Sequence, residues 1–202
     1  MIAIIDYGMG NIHSVQKALE ISGAKTLVTN DPKYLSDCDK IVLPGVGAFD
    51  DAVVDLKKQG LFAAISNAAR EGKIILGICL GLQLFFESSQ EAQTQKGLSL
   101  VKGEVRKFSA SRDFKVPHMG WNRLMIKNFG CPLLKKISEG EQVYFCHSYY
   151  PFPDDSRITA AATDYGIEFS SVIWQDNIFG VQFHPEKSQQ TGLKMLDNFV
   201  KM

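Results

Sequence analysis

Four short apolar runs punctuate the first part of the chain: Ile2 to Ile5, Lys25 to Thr29, Lys40 to Leu43 and Lys73 to Ile78. Helix-periodic segments fill most of the gaps between them. A strand can reach a parallel neighbour only by crossing over the sheet, so this alternation calls for βαβ units around a buried parallel sheet. The first helical segment carries Ile12, Val15, Ala18, Leu19 and Ile21 on one face. Asn11 is placed to cap it and Ser22-Gly23 to stop it. Asp50 to Lys58 and Leu61 to Glu71 are further helices, parted at Gly60, and Leu80 to Glu87 reads as a helix directly after the fourth run.

The pattern changes after the polar stretch Ser88 to Lys96. Short strand-like runs follow at Val101 to Phe108, Asn122 to Ile126, Val143 to Tyr149, Arg157 to Ala162, Ser170 to Gln175 and Phe179 to Phe183. They are expected to add mixed or antiparallel strands to the main sheet and to form a small extra sheet. Thr191 to Met202 sets Leu193, Leu196, Phe199 and Val200 on one face of a closing helix. The fold class expected is α/β, as one domain over residues 1–202.

Charge narrows the function. Twenty-two Lys and Arg against 22 Asp and Glu leave no formal net charge. That argues against a binder that tracks nucleic-acid phosphates and against a polybasic membrane surface. The most apolar stretch, Ile74 to Phe86, spans 13 residues, short of the about 18–20 that a membrane helix needs. The N-terminus has no basic segment before its apolar run, so it does not read as a signal peptide. Cys38, Cys79, Cys131 and Cys146 are accordingly expected to be free thiols.

Gly77-Ile78-Cys79-Leu80-Gly81 stands where a strand turns into a helix. It is the G-x-nucleophile-x-G elbow with Cys in place of Ser. The turn is so tight that the flanking glycines are expected to crowd each other. It should thrust the sulfur beyond the sheet edge and aim the first helical N–H groups, starting with Leu80, beside it. A thiol nucleophile needs a base, and the base needs an orienter. Of His13, His118, His147 and His184, the last precedes Pro185-Glu186. Proline holds His184 extended, where residues i and i+2 share a side, so Glu186 can accept from one ring nitrogen and leave the other for Cys79. Pro44-Gly45-Val46-Gly47 closes the third strand at the same sheet edge and can supply a second oxyanion donor. Neither this turn nor Gly8-Met9-Gly10 completes a dinucleotide-binding G-x-G-x-x-G. The chain has no metal-binding Cys or His spacing, so neither metal nor cofactor is expected.

Three motifs in order, Pro44-Gly45-Val46-Gly47, Gly77-Ile78-Cys79-Leu80-Gly81-Leu82-Gln83 and His184-Pro185-Glu186, resemble those of the class I (triad) glutamine amidotransferases. The resemblance implies a flavodoxin-like three-layer fold, with a central mostly parallel sheet and a small antiparallel one. It implies a Cys79–His184–Glu186 triad, with the oxyanion held by N–H groups of Val46, Gly47 and Leu80. It implies glutamine as substrate, held by Gln83 and by His147, Ser148 and Tyr149. Ile5-Asp6-Tyr7-Gly8-Met9-Gly10-Asn11 and Pro117-His118-Met119-Gly120-Trp121-Asn122 resemble one branch of the family. Its members are cytoplasmic glutaminase subunits that pass ammonia to a separate (β/α)8-barrel cyclase in a heterodimer serving histidine biosynthesis. Tyr7, Asn11, Met119 and Trp121 are the residues expected on the face that meets this partner. A glutaminase subunit feeding another synthase, as in surface-sugar biosynthesis, is the alternative within the family.

Overall fold

The computed structural model describes residues 1–110 and 114–202. In chain order the strands are β1 (Ile2–Ile5), β2 (Thr26–Thr29), β3 (Lys40–Gly45), β4 (Ile74–Cys79), β5 (Phe86–Ser89), β6 (Val101–Lys107), β7 (His118–Arg123), β8 (Met125–Ile126), β9 (Gln142–His147), β10 (Tyr149–Pro153), β11 (Thr159–Asp164), β12 (Glu168–Gln175) and β13 (Ile178–Val181). The helices are α1 (Ile12–Ile21), α2 (Phe49–Lys58), α3 (Leu61–Arg70), α4 (Leu80–Gln83) and α5 (Gln189–Lys201).

Eight strands form the central sheet in the order β2-β1-β3-β4-β13-β12-β11-β8. The pairings are parallel from β2 through β13 and antiparallel from there to β8. Alternate residues feed opposite faces. Ile2 and Ile4 of β1 join one core with Val15 and Leu19 of α1 and with Leu196 and Phe199 of α5. Ala3 and Ile5 join the other with Phe49, Val53 and Leu56 of α2 and Ile65 of α3. The result is the three-layer α/β arrangement, helices on both faces of a mostly parallel sheet. Met195, Leu196 and Phe199 of α5 are each 0–1% exposed. Their burial contributes about 5–9 kcal/mol before ordering costs, enough to hold the closing helix on the sheet.

The extra sheet comes in two pieces. One is three-stranded, β10-β6-β5, and the other is the antiparallel ribbon β7-β9. Three local expectations change. The helix after Cys79 lasts one turn, and the chain then enters β5, which pairs with β6. Leu84, Phe85 and Phe86 are wholly buried, and a short apolar run has no period by which a buried strand can be told from a buried helix. The strand expected at Asn122 to Ile126 is divided at Leu124. Its first part starts earlier, at His118, and pairs with β9, while its second joins the sheet edge. The strand expected at Val143 to Tyr149 is divided at Ser148, so that β9 serves the ribbon and β10 the three-stranded sheet. Asn11 occupies the cap position of α1 but makes no side-chain cap bond, its backbone lying outside the extended region that capping needs.

Candidate active site

Strands β3 and β4 end side by side, with Gly45 opposite Cys79. This is the carboxyl edge of the parallel sheet, where open α/β folds bind ligands. Cys79 itself has φ 55° and ψ −110°, a left-handed conformation that costs a non-glycine residue about 1–3 kcal/mol. The flanking glycines are needed for a reason other than mutual crowding. A Cβ on Gly77 would lie 2.7 Å from the Leu82 nitrogen and from the Phe85 ring, and one on Gly81 would overlap the Leu43 carbonyl of the neighbouring strand. The elbow is therefore tight because α4 starts directly against β3 and β4. With a single turn in α4, the donors available beside the sulfur are local N–H groups rather than a long helix dipole.

His184 follows β13 with φ −97° and ψ 98°, extended as Pro185 requires. Its Nδ1 lies 2.9 Å from Glu186 Oε1, with the two side chains 4% and 1% exposed. Ser188 Oγ donates to the His184 carbonyl at 2.6 Å and accepts from the Tyr144 N–H at 2.9 Å, which ties this turn to β9. Burial opposes a charged ring, but hydrogen bonding and charge interaction with Cys79, and then with Glu186, outweigh it and raise the His184 pKa to about 10. The ring is thus an imidazolium at neutral pH, between the sulfur and the carboxylate.

A cleft of about 310 Å³ opens over these groups. Val46, Gly47, Cys79, Leu80, Gln83 and His184 line one part of it, and His147, Ser148 and Tyr149 another. Gln83 is 4% exposed. Its Nε2 donates to the Tyr149 carbonyl at 2.9 Å and to Gln182 Oε1 at 3.1 Å, leaving its own carbonyl as the group it can offer a ligand. His147 has both ring nitrogens engaged, Nδ1 with the Tyr149 carbonyl at 2.7 Å and Nε2 with His118 Nδ1 at 3.0 Å. Burial pushes His147 down to about 3 and His118 down to about 4, so both are neutral at pH 7. His147 accordingly shapes the wall of the cleft and has no ring nitrogen left for a ligand.

Sequence reasoning missed three residues. Glu91 and Lys187 put opposite charges on the same cleft. Glu91 gave no signal within its polar stretch, although burial raises its pKa and its Oε2 accepts from the Phe49 N–H at 3.1 Å. Gln182 did carry one: it is a polar side chain, 0% exposed, between Val181 and Phe183 of an apolar run, and such groups are buried only with partners.

The residues expected at a partner face divide. Met119 and Trp121 point out of β7, 61% and 45% exposed. Asn11 is half-buried. Tyr7 departs from the expectation: it is 1% exposed, with its hydroxyl packed against Gly45 and the start of α4. Position 7 lies two residues past the end of β1, which pairs with β3, so the side chain is buried against Gly45 at the end of β3 instead of facing outward.

A profile of the glutamine amidotransferase class-I family matches residues 3–202. The chain is 48% identical over 206 residues to the imidazole glycerol phosphate synthase subunit HisH of Geobacter sulfurreducens, covering 100% of this chain and 98% of that one. It is 50% identical over 198 residues to the subunit of the same name from Moorella thermoacetica, covering 98% and 93%. Among solved structures, its fold is similar to PurLQS from Thermotoga maritima, with TM-score 0.78 and 21% identity over 99% of this chain and 97% of that one. It is also similar to the glutaminase domain of Trypanosoma brucei CTPS with bound acivicin, with TM-score 0.69 and 18% identity over 99% and 93%. Among the described residues, no helix is long and apolar enough to cross a membrane.

Proposed function

Because this chain belongs to the class-I glutamine amidotransferase family, we propose that it is the glutaminase subunit of an imidazole glycerol phosphate synthase. As one domain over residues 1–202, it hydrolyses glutamine to glutamate and ammonia. It passes the ammonia to HisF, a (β/α)8-barrel cyclase subunit, in a cytoplasmic heterodimer of histidine biosynthesis. HisF uses it to convert PRFAR into imidazole glycerol phosphate and AICAR.

The observation that carries this reading is the meeting of Cys79, His184 and Glu186 at one cleft. Cys79 Sγ attacks the side-chain carboxamide of glutamine. The oxyanion forms against N–H groups of Leu80 and the Val46–Gly47 turn. His184, already protonated, gives its proton to the departing nitrogen, and ammonia leaves a glutamyl thioester on Cys79. Water attacks that thioester, His184 takes its proton, and glutamate departs with the thiolate restored. Glu186 holds the ring by Nδ1, so that Nε2 faces the sulfur. The Gln83 carbonyl and Glu91 suit the α-ammonium of glutamine and Lys187 its α-carboxylate.

Ammonia released into water would be protonated and lose its nucleophilicity, which is the chemical reason for a docked acceptor. Met119 and Trp121 supply exposed apolar area for that docking, and Asn11, in the loop before α1, is the polar residue proposed for the same face. The likeness to HisH subunits over the full chain supports this choice of synthase. The test is glutamate release with and without HisF and a phosphoribosyl ligand of the cyclase. Turnover is expected to be low for the chain alone, to rise clearly in the liganded complex and to vanish in Cys79→Ala. Full activity in Cys79→Ala would sink the triad, and no rise in the complex would sink the partner.

A further inference from the structure

Cys79 Sγ has a neighbour that the triad does not use. Gln182 Nε2 donates to it at 3.6 Å, within hydrogen-bond range for sulfur. Gln182 is fully buried on the chain segment between β13 and His184. An amide can present either its NH2 or its oxygen, and the two have opposite effects on a thiolate. The orientation here is decided elsewhere in the network.

The Tyr149 carbonyl is an acceptor only, and as backbone it cannot turn over. It accepts from Gln83 Nε2 at 2.9 Å, so Gln83 presents its NH2 on that side. The second proton of the same NH2 goes to Gln182 Oε1 at 3.1 Å. With its oxygen held there, Gln182 has its NH2 left for the sulfur. Turning Gln182 over would set donor against donor at Gln83. Turning both would set acceptor against acceptor at Tyr149.

The same carbonyl orders a second branch. It accepts from His147 Nδ1 at 2.7 Å, so the neutral His147 carries its proton on Nδ1 and accepts at Nε2. His118 must then donate from Nδ1, at 3.0 Å, and accept at Nε2 from Asn122 Nδ2 at 3.3 Å. The remaining Asn122 proton goes to the Asp164 carbonyl at 2.9 Å. His118 and Asn122 lie on β7, whose opposite side carries exposed Met119 and Trp121.

We propose that Gln182 is a positioning residue that holds the Cys79 sulfur by donating to it, oriented by the Tyr149 carbonyl through Gln83. That carbonyl also ties the network, through His147 and His118, to the strand that bears the partner face. The inference rests on Cys79 being the nucleophile. Its chemistry is simple: an N–H aimed at sulfur favours the thiolate and fixes the direction from which it attacks.

Two measurements on the full chain test it. Long-range proton–nitrogen NMR of labelled histidines at pH 7 is expected to find His118 and His147 both in the Nδ1–H form, the minor tautomer of free imidazole. Either ring found as Nε2–H or doubly protonated would overturn the ordering of the network. The second measurement is alkylation of Cys79 by iodoacetamide, which needs no glutamine. In Gln182→Met the rate at pH 7 is expected to fall about tenfold, with the rate profile displaced to higher pH. A folded Gln182→Met alkylated at the wild-type rate and pH profile would overturn the positioning role. If that variant does not fold, Gln83→Met serves instead: it frees the Gln182 amide, and the rate is again expected to fall, an unchanged rate overturning the proposal. Glutaminase activity surviving in Cys79→Ala would remove the underlying triad reading instead, and would leave the histidine tautomers where they are.

Discussion

The residues that do most here are those whose backbone has no latitude. Cys79 is held at positive φ by contacts it does not make itself: α4 lies so close to β3 that position 81 has no room for a methyl group. Gly81→Ala would push a carbon into the Leu43 carbonyl. That oxygen belongs to a central strand and cannot yield cheaply. The substitution is expected to cost about 3 kcal/mol or more, read as a lower urea midpoint, and to slow alkylation of Cys79. A stability within 0.5 kcal/mol of wild type would show that the junction relaxes.

His184 gives a pH signature at the same scale. Its pKa is raised in the folded chain to about 10, against about 6.5 when unfolded. A raised pKa contributes stability that is fully present below pH 6.5 and is lost as pH rises through 10. The difference in unfolding free energy between wild type and His184→Gln is therefore expected to shrink steadily from pH 6.5 to 10. A difference independent of pH across that window would mean that the ring is neutral in the folded state. Glu186→Gln keeps the shape but removes the charge that orients the ring. A loss of kcat of roughly 10²–10⁴-fold is expected, by analogy with triads whose orienting carboxylate is neutralised.

Among the elements, β7 is the clearest case of one strand serving two environments. Its pleat sends His118 and Asn122 inward to the hydrogen-bonded network and Met119 and Trp121 outward. Truncating the outward side chains should affect docking without reaching the core. Trp121→Ala is expected to weaken binding of the cyclase subunit by about 2 kcal/mol, a factor of roughly 30, measured by calorimetry. The unfolding midpoint of the chain alone should move little. Unchanged affinity would place the partner on another face. The break at Ser148 matters as much as the strand. It lets β9 and β10 join different sheets while Ser148 and Tyr149 stay on the cleft wall. That break was not legible in a continuous strand-like run, because which of two sheets a strand joins depends on partners far away in the chain.

At the scale of the whole molecule, the parallel core brings together motifs more than a hundred positions apart. β4 lies between β3 and β13, so the Pro44–Gly47 turn, the Cys79 elbow and the His184 turn all emerge at one edge. The absence of net charge agrees with the proposed function: Glu91 and Lys187 set one acidic and one basic side chain on the cleft, and the small zwitterionic substrate proposed for it would need no large surrounding field.

What could be read from the sequence alone was whatever a local rule determines. Alternating periodicity called for βαβ units around a buried parallel sheet, Gly77 and Gly81 marked an elbow by their spacing around Cys79, and Pro185 set Glu186 beside His184, because each signal is carried by residues near one another in the chain. The tertiary structure decided the rest. The helix after Cys79 stops after one turn because β6 offers the next residues a pairing. Tyr7 is buried against Gly45 because β1 runs beside β3 and both strands end at the same sheet edge. Glu91 and Gln182 join the site through contacts with Phe49, Gln83 and Cys79. Their roles come from long-range packing, where a side chain's partner is whatever the fold sets within 3 to 4 Å, and no spacing along the chain encodes that distance.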